Sequence, residues 1–141
     1  MVDRLTTYVG GRYLSGVTPL QEPTFLVLAA LAGEALHGYG IIQAVTELSE
    51  GRVELRPGTL YPALDRLTAD GLVEAAREEI VDGRLRRYYR LTDAGADRLA
   101  ADVERQRRNA ETAAARLAAR TAQSSTRRRA GRAAPALNPG A

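Results

Sequence analysis

The sequence predicts a mainly α-helical chain with one small β-hairpin, arranged as a winged helix-turn-helix domain and a long C-terminal helix. Three observations support this fold class. Apolar residues recur with helical spacing in three successive segments before residue 72. Two strand-like runs follow, joined by an Asp-Gly turn. Beyond Thr92, a long polar segment carries small and apolar residues at heptad spacing.

The first two helices are predicted from the segments "PTFLVLAALAGEAL" and "HGYGIIQAVTELSEG". The first is apolar on nearly all sides, as in a buried helix, and Pro23 suits the first turn. The second begins with a glycine-containing turn and is expected to end at Gly51. Its inner face should consist of Ile41, Ile42, Val45 and Leu48. Before these helices, "TYVGGRYLSG" is typical either of a short hairpin turning at Gly10-Gly11 or of a poorly ordered arm.

The third helix is predicted in "RPGTLYPALDRL", where Leu60, Leu64 and Leu67 have the spacing of one buried face. Pro62 lies within this run, although proline inside a helix costs about 3 kcal/mol. We expect the helix to begin near Gly58, so that Pro62 falls in or just beyond the first turn, where amides lack intrahelical partners. A short strand is expected at residues 52–55, and Gly71 should end the helix.

A β-hairpin is predicted from "LVEAAREEI" and "RLRRYYRL", since "VDGR" between them contains an Asp-Gly turn signal. Alternation along the second strand assigns Tyr89 and Leu91 to the core side. Arg86, Tyr88 and Arg90 then point outward, with Arg84 at the tip. Acidic residues nearby (Glu78, Glu79 and Asp82) could pair with these arginines, and a solvated edge strand is the alternative interpretation.

The last helix is expected to start after a Thr92 cap and to mediate dimerisation. Residues at spacings of 4, 3, 4, 3 and 4 form a heptad seam. Such a long helix, polar elsewhere, needs a partner to cover its stripe, although folding back on its own domain is the alternative. The seam consists of Leu99, Val103, Gln106, Ala110, Ala113 and Leu117.

The stretches "HGYGIIQAV", "LRPGTLYPALDRLTADGLVE" and "DGRLRRYYRLTDAG" resemble, in this order, the PadR-like family of transcriptional regulators. The resemblance covers about residues 22–110. The C-terminal segment, one helix and a tail, is similar to the short C-terminal-helix branch of the family. It implies a homodimeric winged-helix repressor that binds double-stranded DNA and is relieved by a small hydrophobic effector. The effector's binding residues cannot be assigned from the sequence.

The start of the third helix and the wing are the expected DNA-binding elements, because a recognition helix reads the major groove with its N-terminal residues. Two-fold symmetry predicts an inverted-repeat operator with half-sites roughly 34–36 Å apart or a multiple of that. The residues expected to contact DNA are Tyr39, Gly58, Thr59, Tyr61, Pro62, Arg66, Arg84, Arg86 and Tyr88. His37 is interpreted as a turn or cap residue.

The expected organisation is an arm at residues 1–20, the DNA-binding domain at 21–92, the dimerisation helix at 93–122 and a disordered basic tail at 123–141. Residues 1–122 hold 16 arginines and all 17 acidic residues, so the positive net charge comes from the arginines of the tail. The stretch "STRRRAGR" there could be a non-specific DNA arm or a solvated end. The near-neutral body favours the rival hypothesis, a winged-helix protein-interaction module that does not bind DNA.

Composition argues against several other classes of protein. The chain has 141 residues, no cysteine and one histidine, which excludes disulfides, thiolate metal sites and cysteine nucleophiles. No phosphate-binding glycine loop or catalytic constellation is present, so we expect no enzyme, no metal and no cofactor. No signal peptide or transmembrane run is recognisable, and a cytoplasmic location without membrane contact is expected.

Overall fold

The computed structural model describes residues 6–9, 12–15 and 18–133. The chain divides into two compact units, residues 1–102 and residues 103–141. The elements in chain order are β1 (Thr6–Val9), β2 (Arg12–Ser15), α1 (Glu22–Gly33), β3 (Leu36–His37), α2 (Gly38–Leu48), α3 (Pro57–Ala69), β4 (Val73–Val81), β5 (Arg84–Leu91) and α4 (Asp93–Ala133). The predicted fold class is confirmed, with helices predominating beside a small sheet.

The core of the first unit is built by the three predicted helices. α1 contributes the fully buried Leu28, α2 contributes Ile41 and Val45, and α3 contributes Leu60 and Leu64. Burial of such side chains stabilises the fold by about 1.5–3 kcal/mol each. The inner face of α3 is therefore the one that the apolar spacing predicts, and α1 is buried over much of its length, as its apolar character predicts.

The prediction for the inner face of α2 is wrong at one residue. Leu48 is 54% exposed, because α2 ends at this residue and the chain then turns away at Ser49. Ser49 is buried instead. Its hydroxyl accepts a hydrogen bond from the Val53 amide at 3.0 Å.

The three-stranded sheet of the wing contains a strand that the sequence did not predict, and a strand that the sequence did predict is absent from it. β3 pairs with β5 in the order β3-β5-β4, whereas residues 52–55 form no strand. The Val53 amide donates to the Ser49 side chain and so is not available for a strand partner. The predicted strand is therefore wrong, and the third strand is the two-residue β3 just before α2.

The third helix begins earlier than predicted. Arg56 is its N-cap residue, and the amides of Thr59 and Leu60 donate to the Arg56 carbonyl at 3.0 and 2.9 Å. Pro57 occupies the first turn, so Pro62 lies inside the helix and removes the bond that would reach the Gly58 carbonyl. Both Gly58 and Pro62 are exposed, so water can reach that carbonyl.

The last helix is capped as predicted but is longer. The Thr92 hydroxyl accepts a hydrogen bond from the Gly95 amide at 3.0 Å and donates one to the Gly71 carbonyl at 2.6 Å. α4 continues to Ala133, so the predicted end at residue 122 is wrong. The Ser, Thr, Ala and Arg residues beyond 122 are compatible with a helix, and the next proline is Pro135. Residues 134–141 lie outside the described part.

The start of the domain is held by hydrogen bonds to α4 within the first unit. The Arg98 guanidinium donates to the Thr18 carbonyl, and the Leu20 amide donates to the buried Asp102 carboxylate at 3.3 Å. Leu99, predicted on the dimer seam, packs against the hydrophobic core of this unit. The structure thus assigns a core contact to a residue that heptad spacing places on the seam.

For the N-terminal segment, the structure favours the hairpin alternative over a poorly ordered arm. β1 and β2 pair as antiparallel strands. The predicted turn residues, Gly10 and Gly11, lie outside the described residues. In the described part of the chain, no helix is apolar enough over a sufficient length to span a membrane.

Candidate nucleic-acid interface

An open groove of about 900 Å³ lies between the start of α2, the exposed face of α3 and the wing formed by β4 and β5. It exists because β3 pairs only with Tyr88 and Tyr89 of β5, which leaves the edge of β5 towards the tip free of a third strand. The groove is lined by His37, Gly38, Tyr39, Tyr61, Asp65, Val81, Asp82, Arg84, Leu85, Arg86, Arg87 and Tyr89. Four residues predicted to contact DNA, Tyr39, Tyr61, Arg84 and Arg86, are thus brought together.

Tyr61 is positioned by the absence of a side chain at Gly38. The Tyr61 ring crosses the start of α2 so closely that a Cβ at Gly38 would overlap the hydroxyl and lie 3.0 Å from the ring carbon Cζ. Tyr61 nevertheless remains 48% exposed, and Tyr39 on α2 is 64% exposed. Tyr61 therefore both packs on the second helix and presents polar surface to the groove.

The remaining predicted residues of α3 are exposed, but they do not all face the groove. Gly58, Thr59 and Pro62 are exposed near the start of the helix and do not line it. Arg66 lies on another flank, where it lines a second cavity together with Arg98 and Asp70. α3 also contributes Asp65 to the groove, an acidic residue that the sequence did not indicate as part of the interface.

Some arginines of the wing form ion pairs with neighbouring glutamates, and others do not. Salt bridges join Arg87 to Glu78 at 3.1 Å and Arg90 to Glu74 at 2.7 Å. Hydrogen bonding to Glu78 raises the pKa of Arg87 above its ordinary value. Within the part of the chain that the structure describes, Arg84 and Arg86 take part in no such ion pair. These two guanidinium groups are therefore available to pair with an external anion.

The tip of the wing is set by its turn. Asp82 and Gly83 both have positive φ, 51° and 75°, which is the geometry of a type I′ hairpin turn. The register brings Val81 opposite Arg84 and Ile80 opposite Leu85. Ile80 and Leu85 are 78% and 62% exposed, and the sequence did not indicate this apolar pair beside the groove. The sequence feature that could have indicated Leu85 is the alternation along β5, which places Leu85 on the same face as Tyr89.

Tyr88 has a packing role rather than the open position that alternation predicts. It is half-buried, with its ring centroid 5.3 Å from that of His37 and 4.1 Å from the Arg77 guanidinium carbon.

Burial, and secondarily the charge of Arg86, lowers the pKa of His37 below its ordinary value. His37 therefore lines the groove mainly as a neutral imidazole at pH 7.

The chemistry of the groove suits a nucleic acid. Arginine forks and tyrosine hydroxyls donate hydrogen bonds to phosphate oxygens and base edges. Among the described residues, no cluster of three histidine or acidic side chains is placed to hold a metal ion.

Comparison with known proteins identifies the family. The profile of the transcriptional regulator PadR-like family matches residues 27–101. A transcriptional regulator of Mycobacterium tuberculosis is 45% identical over 76 residues, which cover 54% of this chain and 67% of that protein. Other curated relatives are matched over smaller shares of their length, down to 21%.

Two solved structures extend the comparison to the fold. A PadR family transcription regulator from hypervirulent Clostridium difficile has a TM-score of 0.58 and 26% identity, over 69% of this chain and 99% of that one. Bacillus subtilis PadR in complex with operator DNA has a TM-score of 0.50 and 26% identity, over 56% of this chain and 46% of that one. The profile match, the winged-helix fold and these relatives agree: the chain belongs to the PadR-like family of transcriptional regulators.

Proposed function

We propose that this chain is a homodimeric, sequence-specific transcriptional repressor. The exposed start of α3 enters the major groove of an inverted-repeat operator, and the wing contacts the adjacent phosphate backbone. The observation that carries the proposal is the convergence of Tyr39, Tyr61, Arg84 and Arg86 on one open groove. The operator complex of the relative from Bacillus subtilis supports it. The resemblance further suggests relief of repression by a small hydrophobic effector.

The operator itself can be found by selecting binding sites from random duplex DNA with the purified protein. Enrichment of an inverted repeat is expected, because a two-fold symmetric dimer reads two equivalent half-sites. Failure to enrich any sequence would instead favour the protein-interaction module.

The unpaired wing arginines should supply salt-dependent affinity. We expect the double substitution Arg84→Gln and Arg86→Gln to weaken operator binding. It should also reduce the slope of log K against log salt by about 1.8 for each bound subunit, or about 3.6 for the dimer, at about 0.9 for each phosphate that is no longer neutralised. Titrations by fluorescence anisotropy at several salt concentrations measure both quantities.

The matched control is the double substitution Arg52→Gln and Arg90→Gln, at two arginines that do not line the groove. These side chains are already paired with Glu22 and Glu74, so the same change in formal charge should leave the slope nearly unchanged. Equal slopes for wild type and the Arg84/Arg86 variant would contradict backbone contact by the wing.

Dimerisation is expected to depend on the seam of α4. Its members in the second unit are Val103, Gln106, Ala110, Ala113 and Leu117, of which Leu117 is the largest and is 62% exposed. Leu117→Gln should weaken the dimer, because it replaces the main apolar contact of a seam otherwise rich in alanine. Sedimentation velocity at micromolar concentration measures the monomer fraction.

Ala118→Gln provides the control for Leu117→Gln. It introduces the same side chain at the adjacent exposed position, off the heptad spacing. A wild-type protein that sediments as a monomer, or equal effects of the two substitutions, would contradict the proposed seam.

A further inference from the structure

The C-terminal part of α4 carries positive charge that the proposed function does not use. Residues 112–132, here called the basic arm, contain six arginines and no acidic residue. The arm is helical, and every side chain in it is exposed. It lies beyond residues 27–101, which match the family profile.

The arm lacks the features that usually stabilise a polar helix by itself. Arg116 and Arg120, and likewise Arg128 and Arg132, are like charges four residues apart, which destabilise an isolated helix. The helix macrodipole favours cations only within the last turn, so it accounts for Arg132 but not for the arginines near residue 120. An anionic partner would remove this repulsion.

A second copy of the chain suits the arm only as far as Leu117, the last residue of the proposed dimer seam. Continuing the heptad spacing beyond Leu117 reaches Arg120, Ser124 and Arg127. A symmetric pair of helices would therefore bring arginines to its seam, where apolar residues are needed. A membrane surface is also a poor fit, because Leu117 is the only large apolar residue in the arm and an interfacial helix needs an apolar face.

We propose that the basic arm binds the phosphate backbone of double-stranded DNA independently of sequence. At about 1.5 Å per residue, its 21 residues extend roughly 32 Å, close to one turn of duplex. This inference rests on the proposed function, since that function brings the duplex to the protein. The arm adds affinity that raises binding to operator and to non-operator DNA alike.

The test uses the full-length protein and a mixed-sequence duplex of about 30 base pairs. Arg127→Gln with Arg128→Gln should reduce the salt slope of binding to this duplex by up to about 1.8 for each arm that contacts it. The matched control is Arg107→Gln with Arg108→Gln, another adjacent pair in α4. There Glu111 and Glu104 each lie four residues from an arginine, and the slope should change little. Glutamine is a good helix former, and circular dichroism verifies equal helix content.

The outcomes separate this inference from the proposed function. Equal slopes for wild type and the Arg127/Arg128 variant, together with intact operator binding, would overturn the arm alone. A wild-type protein that binds neither operator nor mixed-sequence DNA would overturn both. A further contrary result is an Arg127/Arg128 variant that loses the wild-type protein's binding to vesicles that contain phosphatidylserine and yet binds DNA as the wild type does. That result would overturn the proposal, because it would assign the arm to a membrane surface.

Discussion

Gly95→Ala is expected to lower the free energy of unfolding by about 1–3 kcal/mol or more, the cost of overpacking a buried site. A Cβ at this position would overlap the Leu72 carbonyl oxygen and lie 2.7 Å from Cδ1 of Leu91. The obstacle is backbone, so it cannot rotate away. Relief requires α4 to move from the chain before β4, which disturbs the hydrogen bond from the Thr92 amide to the Leu72 carbonyl. Urea unfolding at a fixed protein concentration measures the loss.

Gly33→Ala is the matched control for Gly95→Ala, because no atom lies within 4 Å of the added methyl group. It should be neutral or stabilising by up to about 1 kcal/mol, since alanine restricts the unfolded chain more than glycine does. Equal stability of the Gly95→Ala variant and wild type would show that Leu72 does not approach α4 so closely.

Gly38→Ala is expected to weaken operator binding by about 10- to 100-fold, the equivalent of about 1.4–2.8 kcal/mol. The added methyl group would displace the Tyr61 ring from the start of α2. Because the atoms that the methyl group meets belong to a half-exposed side chain and not to the backbone, the free energy of unfolding should change little. The change therefore affects the interface far more than the fold. Operator titration and urea unfolding of the same variant distinguish the two effects.

A double-mutant cycle tests whether Gly38 acts through Tyr61. Tyr61→Ala alone should weaken operator binding by a similar factor, and adding Gly38→Ala to it should cause little further loss. Additive losses would indicate that Gly38 affects DNA binding by another route. Unchanged affinity of the Tyr61→Ala variant would contradict a role for this side chain in DNA binding.

Elements governed by local patterns could be predicted from the sequence. The leucines of α3 are buried as their spacing requires, and Thr92 caps α4 through its own hydroxyl. The wing turn has the backbone conformation that Asp82-Gly83 favours. Each of these features depends on residues within four positions of one another, which is the range of helical periodicity, capping and turns.

Elements that depend on partners far away in the chain could not be predicted from the sequence. β3 has two residues, too few for an alternating pattern, and exists because β5 pairs with it. The early start of α3 was missed for a different, local reason, because Pro57 suits a first turn and is a second start signal beside Gly58. Leu99 fits the heptad spacing yet packs on the core, since spacing alone does not reveal what a helix face meets.

The candidate site shows the same limit. The sequence identified the wing arginines as candidates, but not which would be neutralised, since pairing of Arg87 with Glu78 and of Arg90 with Glu74 depends on strand register. Alternation placed Tyr88 outward, but the neighbouring strand and Arg77 cover it. The groove itself required the short β3, which leaves one edge of β5 open.

The sequence by itself determined the fold class, the family and the elements of the proposed interface, because these follow from residue spacing and a specific order of motifs. Only the tertiary structure decided which side chains share one groove, which arginines remain unpaired and which glycine makes room for Tyr61. Those properties depend on contacts between residues far apart in the chain, and no local pattern encodes them.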